Sequence, residues 1–386
     1  MKIVFLSNFF NHHQKPLSDE LYRLTDGKYV FIETQKMSDE RKKMGWGMQE
    51  FPSYVISNFE DEEQKNHCQA LIDEADVVII GSAPCCLLKE RLKKEKLTFY
   101  YSERIYKQKR RDWCKYPIRL LKHYYRFSRH NNLYLLCASA YTAADFAKTL
   151  CFIDKTYKWG YFPQTKGYDN VDELIKRKRI NSILWCARFI GWKHPEMPVL
   201  IAKRLKENGY IFEMNLIGCG ERQNEIKELI VNNGLRNSVK ILGNMTSENV
   251  RQEMEKSEIF LFTSDRNEGW GAVLNESMNS ACAVVANHMV GSVPFLVNDK
   301  ENGFIYKDGD FEDLYKKVKF LLDNSEKRKE ISKKAYETIA LNWNAEIAAQ
   351  RLIKLIEDIQ KKNTSETYKE GPCSKAKRLK DNWYNR

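Results

Sequence analysis

Short apolar segments without alternation recur along this chain, and each is followed by a stretch whose composition favours a helix. Continuous apolar runs are typical of strands that are covered on both faces, as in parallel sheets. Strands that alternate with helices predict doubly wound α/β units. The runs lie at 3–6, 77–80, 97–101 and 133–138 in the first half and at 183–186, 212–217, 239–242, 259–262 and 283–286 in the second.

These two sets of runs predict two α/β domains. A polar, charged stretch around 164–181 separates them, so we predict an N-terminal domain over 1–165 and a C-terminal domain over 166–342. The amphipathic pattern over 343–362 predicts a long helix. The polar and basic stretch 363–386 predicts a mobile tail.

Composition restricts the compartment and the partners. No apolar stretch approaches the roughly 18 residues that span a bilayer, and the first residues lack a signal-peptide cleavage site. The 10 cysteines include no C-x-x-C pair, which favours reduced thiols in a cytoplasmic protein. The formal net charge of +12 favours an acidic partner of one of three kinds: nucleic acid, an anionic membrane or a phosphorylated ligand.

Two glutamates, Glu268 and Glu276, lie eight positions apart after the apolar run 259–262. The turn Gly269-Trp270-Gly271 follows the first of them, and a helix-compatible stretch begins at Ala272 and Val273. The N–H groups at such a helix start and the helix dipole bind anions. Two carboxylates beside an anion site suit a phosphate ester that carries hydroxyls on both sides, such as a sugar nucleotide. Alternatively, Glu268 is a turn residue and Glu276 an exposed helix residue.

Two cations and a glycine turn follow other runs of the second domain. Arg188 and Lys193 come just after the run 183–186, where a doubly wound sheet binds its ligands. An arginine fork and a lysine point charge can hold a diphosphate, although both side chains could simply be solvated surface cations. Gly218-Cys219-Gly220 permits a close backbone approach to a ligand, but it lacks the third glycine of the dinucleotide fingerprint.

The first domain offers polar residues after its own strands. His12 and His13 follow the first run and could donate to a phosphate, transfer a proton, or belong to a loop without a catalytic role. Glu103 follows the run 97–101 and could assist an acceptor hydroxyl, or it could pair with Arg104 or another neighbour.

A basic segment over Pro117–Asn131 combines two stripes. Arg119, Lys122, Arg126 and Arg129 recur at spacings of three and four, and apolar and aromatic residues fill the positions between them. A helix of this kind suits an anionic membrane surface. Alternatively, its apolar face packs on the first domain and its cations are solvated.

Metal ligation is not expected. No His/Cys cluster has metal-ligand spacing, and Asp308-Gly309-Asp310 reads as a helix start with Asp310 as the N-cap. A single loop pair is a poor cage for a cation.

The residues described above resemble the retaining glycosyltransferases of family 4, within the group 1 glycosyl transferases. Glu268 and Glu276 match the E-x7-E signature, and the spacing of Arg188 and Lys193 matches the diphosphate clamp of that family. The runs 216–220, 239–243, 268–271 and 301–304 appear in the family's order. The resemblance is strong over about 183–310 and weak in the first domain.

This resemblance implies a GT-B fold, in which two Rossmann-like domains face a central cleft and the final helix crosses back to the first domain. It implies that Arg188 and Lys193 neutralise the donor diphosphate, Glu276 holds the ribose hydroxyls and Glu268 contacts the transferred sugar. Backbone groups from Gly271 to Val273 would bind phosphate, with Gly218, Gly243, Gly269 and Trp270 at the donor site. The sequence departs from the family at 281–283, at 291–295, where an acid is missing, and at 11–14, where glycines are common.

The resulting hypothesis is a metal-independent, retaining glycosyltransferase of surface polysaccharide biosynthesis. It would transfer a sugar from a nucleoside-diphosphate donor to a glycan or lipid-linked glycan, without a cofactor, in the cytoplasm and at the inner face of the plasma membrane. A non-hydrolysing sugar-nucleotide epimerase of similar fold is the alternative enzyme. The non-enzymatic alternative is a basic membrane-binding or nucleic-acid-binding protein, although no nucleic-acid-binding motif is recognised. A glycoside hydrolase needs two facing carboxylates, which this spacing along a helix does not provide.

Overall fold

The computed structural model describes residues 1–39, 47–48, 50–107, 116–363 and 367–385, leaving aside the side chains of residues 116, 117, 119 and 385. The chain forms two compact units. Unit 1 contains Met1–Gln164 together with Trp343–Lys380, and unit 2 contains Thr165–Asn342 together with Asp381–Arg386. Unit 1 therefore combines the first part of the chain with a segment near its end.

Unit 1 contains a seven-stranded parallel sheet in the order β3-β2-β1-β4-β5-β6-β7. Its strands are β1 Ile3–Ser7, β2 Tyr29–Glu33, β3 Val55–Ser57, β4 Val77–Ile80, β5 Thr98–Ser102, β6 Leu133–Cys137 and β7 Thr156–Lys158. The helices between them are α1 Lys15–Leu24, α2 Glu62–Glu74, α3 Lys89–Lys93, α4 Tyr116–His123 and α5 Thr142–Ala147. A π-helical turn, Tyr124–Ser128, continues α4.

Unit 2 contains a six-stranded parallel sheet in the order β10-β9-β8-β11-β12-β13. Its strands are β8 Ser182–Cys186, β9 Glu213–Ile217, β10 Val239–Gly243, β11 Ile259–Phe262, β12 Ala283–Asn287 and β13 Phe304–Tyr306. Its helices are α6 Val171–Lys176, α7 Glu196–Glu207, α8 Gln223–Asn232, α9 Ser247–Lys256, α10 Ala272–Asn279, α11 Val293–Leu296, α12 Phe311–Asp323 and α13 Ser325–Leu341. The predicted doubly wound α/β class is confirmed in both units.

Burial explains why the strand signals are continuous apolar runs. Every residue of β1, β4 and β11 is buried, because helices cover both faces of the sheets. Short polar side chains begin several helices. The carboxylate of Asp310 accepts the N–H of Asp313 at 2.9 Å, so the D-x-D sequence is a helix start, as predicted.

The last long helix, α14 Ala345–Gln360, belongs to unit 1. The side chain of Asn344 caps its first turn, and the helix packs against α1. Trp343, just before this helix, stacks on Phe162 with ring centroids 6.5 Å apart. The predicted return of the final helix to the first domain is therefore confirmed.

The segment after α14 differs from the predicted mobile tail. Cys373, Ser374 and Ala376 are buried, and the backbone of this segment pairs antiparallel with β7, with Lys158 donating to the Ser374 carbonyl at 2.7 Å. Further along, Asp381 pairs with Arg266 at 3.2 Å within unit 2. Basic composition suggested solvation, but small side chains and the open edge of β7 allow the segment to pack.

The structure contains no helix, among the residues it describes, with both the length and the apolar character needed to cross a membrane.

Candidate active site

In both sheets, the second and third strands of the unit lie on one side of its first strand, and all later strands lie on the other side. In unit 2 this places β8 between β9 and β11, and the loops after β8 and β11 diverge at their carboxyl ends. Open α/β sheets bind ligands at such a switch point. The predicted residues Arg188 and Lys193 follow β8, and Glu268 follows β11.

Glycine is required where the loop after β9 meets the loop after β8. Gly218 has a φ of +128°, and a Cβ at this position would lie 2.0 Å from the carbonyl oxygen of Ala187. The close approach lets Phe189 donate its N–H to the Cys219 carbonyl at 2.9 Å. Gly218 also donates to the carbonyl of Gly243, at the end of β10, at 2.8 Å. Both predicted glycines therefore shape the backbone beside the site.

Lys193 and Glu268 form an ion pair, in which the ammonium group donates to the carboxylate. Their side chains are only 11% and 12% exposed, so solvent screens this pair less than a surface pair. The Thr263 hydroxyl donates to the Lys193 carbonyl at 2.7 Å and ties the loop after β8 to the end of β11. The fold thus brings together two residues that are 75 positions apart in sequence.

The turn after Glu268 has a tight backbone and a buried anchor. Gly271 has a φ of +81°, and a Cβ there would lie 2.3 Å from a ring atom of Phe262. The Trp270 side chain is fully buried, and its indole N–H donates to Asn275 at 2.8 Å. We therefore assign a structural role in the turn to the Trp270 side chain. A contact of Trp270 with a nucleotide sugar would have to come from its backbone.

Helix α10 starts directly after this turn, at Ala272. Its N-cap residue, Gly271, has no side chain to accept the N–H groups of Ala272 and Val273. Free N–H groups at a helix start, together with the helix dipole, favour an anion. The backbone that was predicted to bind phosphate therefore lies at a helix start without a side-chain cap.

The opposite end of α10 is fixed by a buried cation that the sequence reasoning missed. The Lys178 ammonium donates to the carbonyl oxygens of Ser280 at 2.8 Å, Ser257 at 2.9 Å and Met254 at 3.0 Å. These carbonyls lie at the carboxyl ends of α9 and α10, where the helix dipoles favour positive charge. Lys178 therefore holds α10 from the end remote from the turn.

Glu276 lies on α10, half-buried, and acts electrostatically on the end of β8. Burial, followed by the negative charge of Glu276, raises the pKa of the Cys186 thiol to about 12, while the positive charge of Lys193 opposes this change. Both charges are therefore close to Cys186. Arg188 is exposed, and its guanidinium lies 5.9 Å from the ring centroid of Trp192, whose ring also lies 4.3 Å from the Lys193 ammonium.

His194 supplies a further connection that the sequence did not predict. It adopts the left-handed conformation with a φ of +53°, and its ring lies 2.9 Å from Glu196 and 3.6 Å from Asp265. Hydrogen bonds to Asp265 and Glu196 raise the pKa of His194 to about 9, so the ring is protonated at neutral pH. Arg222 donates to the other oxygen of Glu196 at 2.6 Å. The sequence signal was weak, since these residues come from three separate segments.

In unit 1, the predicted histidines lie in the loop after β1. The rings of His12 and His13 are 4.0 Å apart. Burial lowers the pKa of His13 to about 4, so its imidazole is neutral at pH 7 and cannot serve as a phosphate-binding cation. The loop is held by Glu33, whose carboxylate accepts the N–H of Phe10 at 2.6 Å.

Glu103 follows β5, and its partners differ from Arg104, its neighbour in sequence. One carboxylate oxygen accepts the Tyr161 hydroxyl at 2.6 Å, and the other accepts the Lys107 ammonium at 2.9 Å. The Arg104 side chain is fully buried, 3.7 Å from the carboxylate of Asp145. The fold therefore gives Glu103 a fixed orientation at the carboxyl edge of the sheet.

A cavity of about 370 Å³ lies within unit 1 at the carboxyl ends of β1, β4 and β5. His13 and Glu103 both line it, together with residues that follow each of these strands and β7. His12 is not among the lining residues in the described part of the chain. Two of the three predicted acceptor-side residues therefore share one cavity.

The basic segment forms α4 and the π-helical turn. Phe127 packs in the core of unit 1, whereas the apolar face formed by Ile118, Leu121 and Tyr125 points outward. Ile118, Leu121 and Tyr125 are 72%, 59% and 59% exposed. The side chain of Arg119, one of the predicted stripe, lies outside the described residues. A groove beside the segment is lined by Lys122, Arg126 and Arg129 and by two lysines of α3, Lys89 and Lys93. The apolar face is therefore not packed on unit 1.

The described residues include no cluster of three or more His, Cys, Asp or Glu side chains that could hold a metal ion.

Residues 169–338 match the family model described as glycosyl transferases group 1. The chain is 32% identical over 126 residues to the uncharacterized glycosyltransferase MJ1178 of Methanocaldococcus jannaschii, covering 33% of this chain and 35% of that protein. It is 25% identical over 191 residues to the amylovoran biosynthesis glycosyltransferase AmsK of Erwinia amylovora, covering 48% and 46%. The matched region thus spans between a third and a half of these relatives.

The solved structures extend the likeness to both units. The crystal structure of Anabaena HepE in complex with UDP and glucose covers 93% of this chain and 100% of its own, with a TM-score of 0.66 and 15% identity. At that identity the likeness shows the fold alone. The likeness shows a GT-B fold, and within it residues 169–338 are similar to the group 1 glycosyl transferases.

Proposed function

We propose that this chain transfers a sugar from a nucleoside-diphosphate donor to a glycan or lipid-linked glycan acceptor. The match of residues 169–338 to the group 1 glycosyl transferases supports this proposal. The proposal places the reaction in surface polysaccharide biosynthesis, with retention at the anomeric carbon and without a metal ion. The observation that carries it is the buried pair of Lys193 and Glu268 beside the uncapped start of α10.

This arrangement suits a diphosphate leaving group. As the bond to the sugar breaks, negative charge develops on the diphosphate and positive charge on the sugar ring. Lys193, Arg188 and the N–H groups at the start of α10 supply positive charge on one side, and Glu268 supplies a carboxylate on the other. Groups fixed before the reaction stabilise such charges without reorganisation.

The remaining donor contacts follow from position. Glu276, on the same helix as the phosphate-binding N–H groups, would accept hydrogen bonds from the ribose hydroxyls. Glu268 would accept hydrogen bonds from the transferred sugar. UDP occupies the crystal structure of Anabaena HepE, which supports a nucleotide donor for this chain. On the acceptor side, the proposal assigns the unit 1 cavity and Glu103 to the acceptor, with His13 as a neutral hydrogen-bonding group.

Substitution of the ion pair tests the activity. We expect Lys193→Met and Glu268→Gln each to reduce donor turnover by about 10²–10³-fold, as is typical for loss of one preorganised electrostatic group. The measurement is release of nucleoside diphosphate from a panel of nucleotide sugars. Lys203→Met, on the exposed face of α7, is the matched control and should retain activity. If Lys193→Met and Glu268→Gln released as much nucleoside diphosphate as the control Lys203→Met, the transferase function would be rejected.

Metal independence and retention have separate tests. Activity should survive chelation with EDTA, because the cations above already neutralise the diphosphate. Loss of activity that Mg²⁺ or Mn²⁺ restores would contradict this part. Retention rests on the resemblance of the Glu268–Glu276 spacing to the retaining family. NMR of the product measures the anomeric configuration, and an inverted anomeric centre would contradict retention.

An epimerase of similar fold would use the same donor without an acceptor. It would interconvert nucleotide sugars and leave the diphosphate bond intact. The same panel separates the two functions, because a transferase releases nucleoside diphosphate and an epimerase does not.

We further propose that the segment 118–129 rests on the anionic inner face of the plasma membrane. Its exposed Ile118, Leu121 and Tyr125 can enter the interface, while the neighbouring cations face acidic headgroups. The triple variant Lys122→Glu, Arg126→Glu, Arg129→Glu should lose sedimentation with phosphatidylglycerol vesicles. A matched triple variant of exposed unit 2 cations, Lys203→Glu, Lys227→Glu, Lys316→Glu, should sediment as the wild type does. Equal sedimentation of both triple variants would refute the membrane role.

A further inference from the structure

The unit 1 cavity has the dimensions of a small-ligand site. Its volume of about 370 Å³ lies near the lower end of the roughly 300–1,000 Å³ that small-molecule pockets occupy. Its walls combine aromatic rings, including Tyr101 and Tyr161, with hydroxyl groups such as those of Ser7 and Ser82. A cavity of this size and composition suits one sugar unit at the end of a longer molecule.

The charge of the walls is more informative than their size. Among the described residues that line the cavity, none is Lys or Arg, and Glu103 is the one carboxylate. This chain contains 64 lysines and arginines, so the composition of the wall differs sharply from that of the whole protein. Lys107, which is not among the described lining residues, donates to a Glu103 oxygen at 2.9 Å.

The other titratable groups in the cavity are neutral at pH 7. Burial lowers the pKa of His13 to about 4, and burial raises the pKa of the Tyr101 and Tyr161 phenols well above their ordinary value. The hydrogen bond from Tyr161 to Glu103, at 2.6 Å, orients the carboxylate as an acceptor for a ligand hydroxyl. The described walls therefore offer hydrogen-bond partners for hydroxyls and no cationic side chain to pair with an anion.

An anionic group would enter this cavity at a large cost. It would leave water, find no cation on the described walls, and approach the carboxylate of Glu103. Burial of an unpaired charge is among the most unfavourable steps in recognition, and a like charge nearby adds to it. A hydroxyl in the same position would donate to Glu103.

We propose that the unit 1 cavity binds an uncharged, hydroxyl-rich terminal sugar of the acceptor and discriminates against a terminal sugar that carries a carboxylate or phosphate. This inference rests on the proposed transferase function and adds the chemical class of the acceptor end. Charged groups further along the acceptor lie outside the cavity and are not affected.

The test compares acceptors that differ only in this charge. The full chain is given a donor that it hydrolyses, with methyl hexopyranosides, the matching methyl hexuronides and the matching 6-phosphates. The readout is nucleoside diphosphate released above donor hydrolysis without acceptor. We expect kcat/KM for the neutral glycosides to exceed that for the charged ones by on the order of tenfold or more. Equal or better use of the charged glycosides would overturn the inference and leave the transferase function intact.

A charge inserted at the mouth of the cavity provides the second arm. Ser82 is exposed and lines the cavity, so Ser82→Lys should fold and should reduce the preference for neutral acceptors. Ser53→Lys adds the same charge at an exposed position that is not among the described lining residues, and it should keep the wild-type preference. Identical preferences in both variants would show that the acceptor end binds elsewhere.

A donor-free measurement separates failure of this inference from failure of the proposed function. Saturation-transfer NMR compares methyl glucoside with methyl glucuronide on the wild type and on Ser82→Lys. A stronger signal for the glucoside on the wild type, reduced relative to the glucuronide in Ser82→Lys, supports the neutral cavity even when no donor is turned over. A stronger glucuronide signal on the wild type overturns it.

Discussion

The two units use the same architecture at their candidate sites but different electrostatics. In each, polar loops follow parallel strands at a switch point. In unit 2 the loops are joined by charges in contact, as in Lys193 with Glu268 and His194 with Asp265. In unit 1 the cavity is lined by hydroxyls, phenols and a neutral imidazole. Under the functions proposed above, one sheet design would serve a highly charged ligand in unit 2 and an uncharged one in unit 1 through its loops alone.

The largest expected difference in stability between the units comes from the close contact of backbone segments in the loops of unit 2. Gly218→Ala should destabilise the protein by at least about 3 kcal/mol, because the new Cβ would lie 2.0 Å from the Ala187 carbonyl at a φ of +128°. Gly81→Ala, directly after β4 of unit 1, meets Tyr101 at 3.2 Å and should cost no more than about 1 kcal/mol. Urea unfolding measures both, and equal losses would mean that the unit 2 loops are not uniquely close.

The charged network of unit 2 should show a specific pH dependence. The pKa of His194 is raised to about 9 in the fold, so its contribution is complete below its unfolded pKa and is lost as the pH rises through 9. His194→Asn tolerates the left-handed backbone and should cost about 1 kcal/mol at pH 6, after discounting for screening of a side chain that is 36% exposed. The difference from wild type should disappear near pH 10. A constant difference over this range would place the effect in packing instead of charge.

Glu33 of unit 1 should give the smallest effect, and its substitution should stabilise the protein instead of destabilising it. Burial raises the pKa of this carboxylate, so its ionised form is penalised in the fold and the penalty fades as the pH falls through the folded pKa. Glu33→Gln keeps an acceptor for the Phe10 N–H and should gain about 0.5 kcal/mol at pH 7. The gain should shrink towards pH 4.5. A loss above about 1 kcal/mol at pH 7 would show that unit 1 also depends on a buried charge.

The sequence predicted the sheets wherever apolar runs were long enough to recognise. β1, β4 and β11 coincide with predicted runs, whereas β3, β7 and β13 have only three residues each and carry no clear pattern. Tyr29–Glu33 also went unrecognised, although it is a buried strand of five residues. The segment 371–376 was predicted to be mobile from its polar and basic composition. Its pairing with β7 depends on tertiary contacts that composition does not show.

The site was predictable to the extent that its chemistry has a fixed spacing. Glu268, Glu276, Arg188 and Lys193 have such a spacing, and the fold places three of them around Cys186 and the start of α10. The sequence did not reveal that Lys193 and Glu268 pair, because the contact depends on how β8 and β11 align. His194 and Lys178 were missed for the same reason, since their partners come from distant segments.

The return of α14 to α1 has a consequence for the order in which the protein can fold during synthesis. Residues 165–342 of unit 2 leave the ribosome as one uninterrupted stretch, so nearly all of that unit can fold while translation continues. Unit 1 begins first but stays incomplete until residues 343–380 emerge. The unit that begins first is therefore completed only near the end of synthesis, and nascent chains would expose the α1 surface until then.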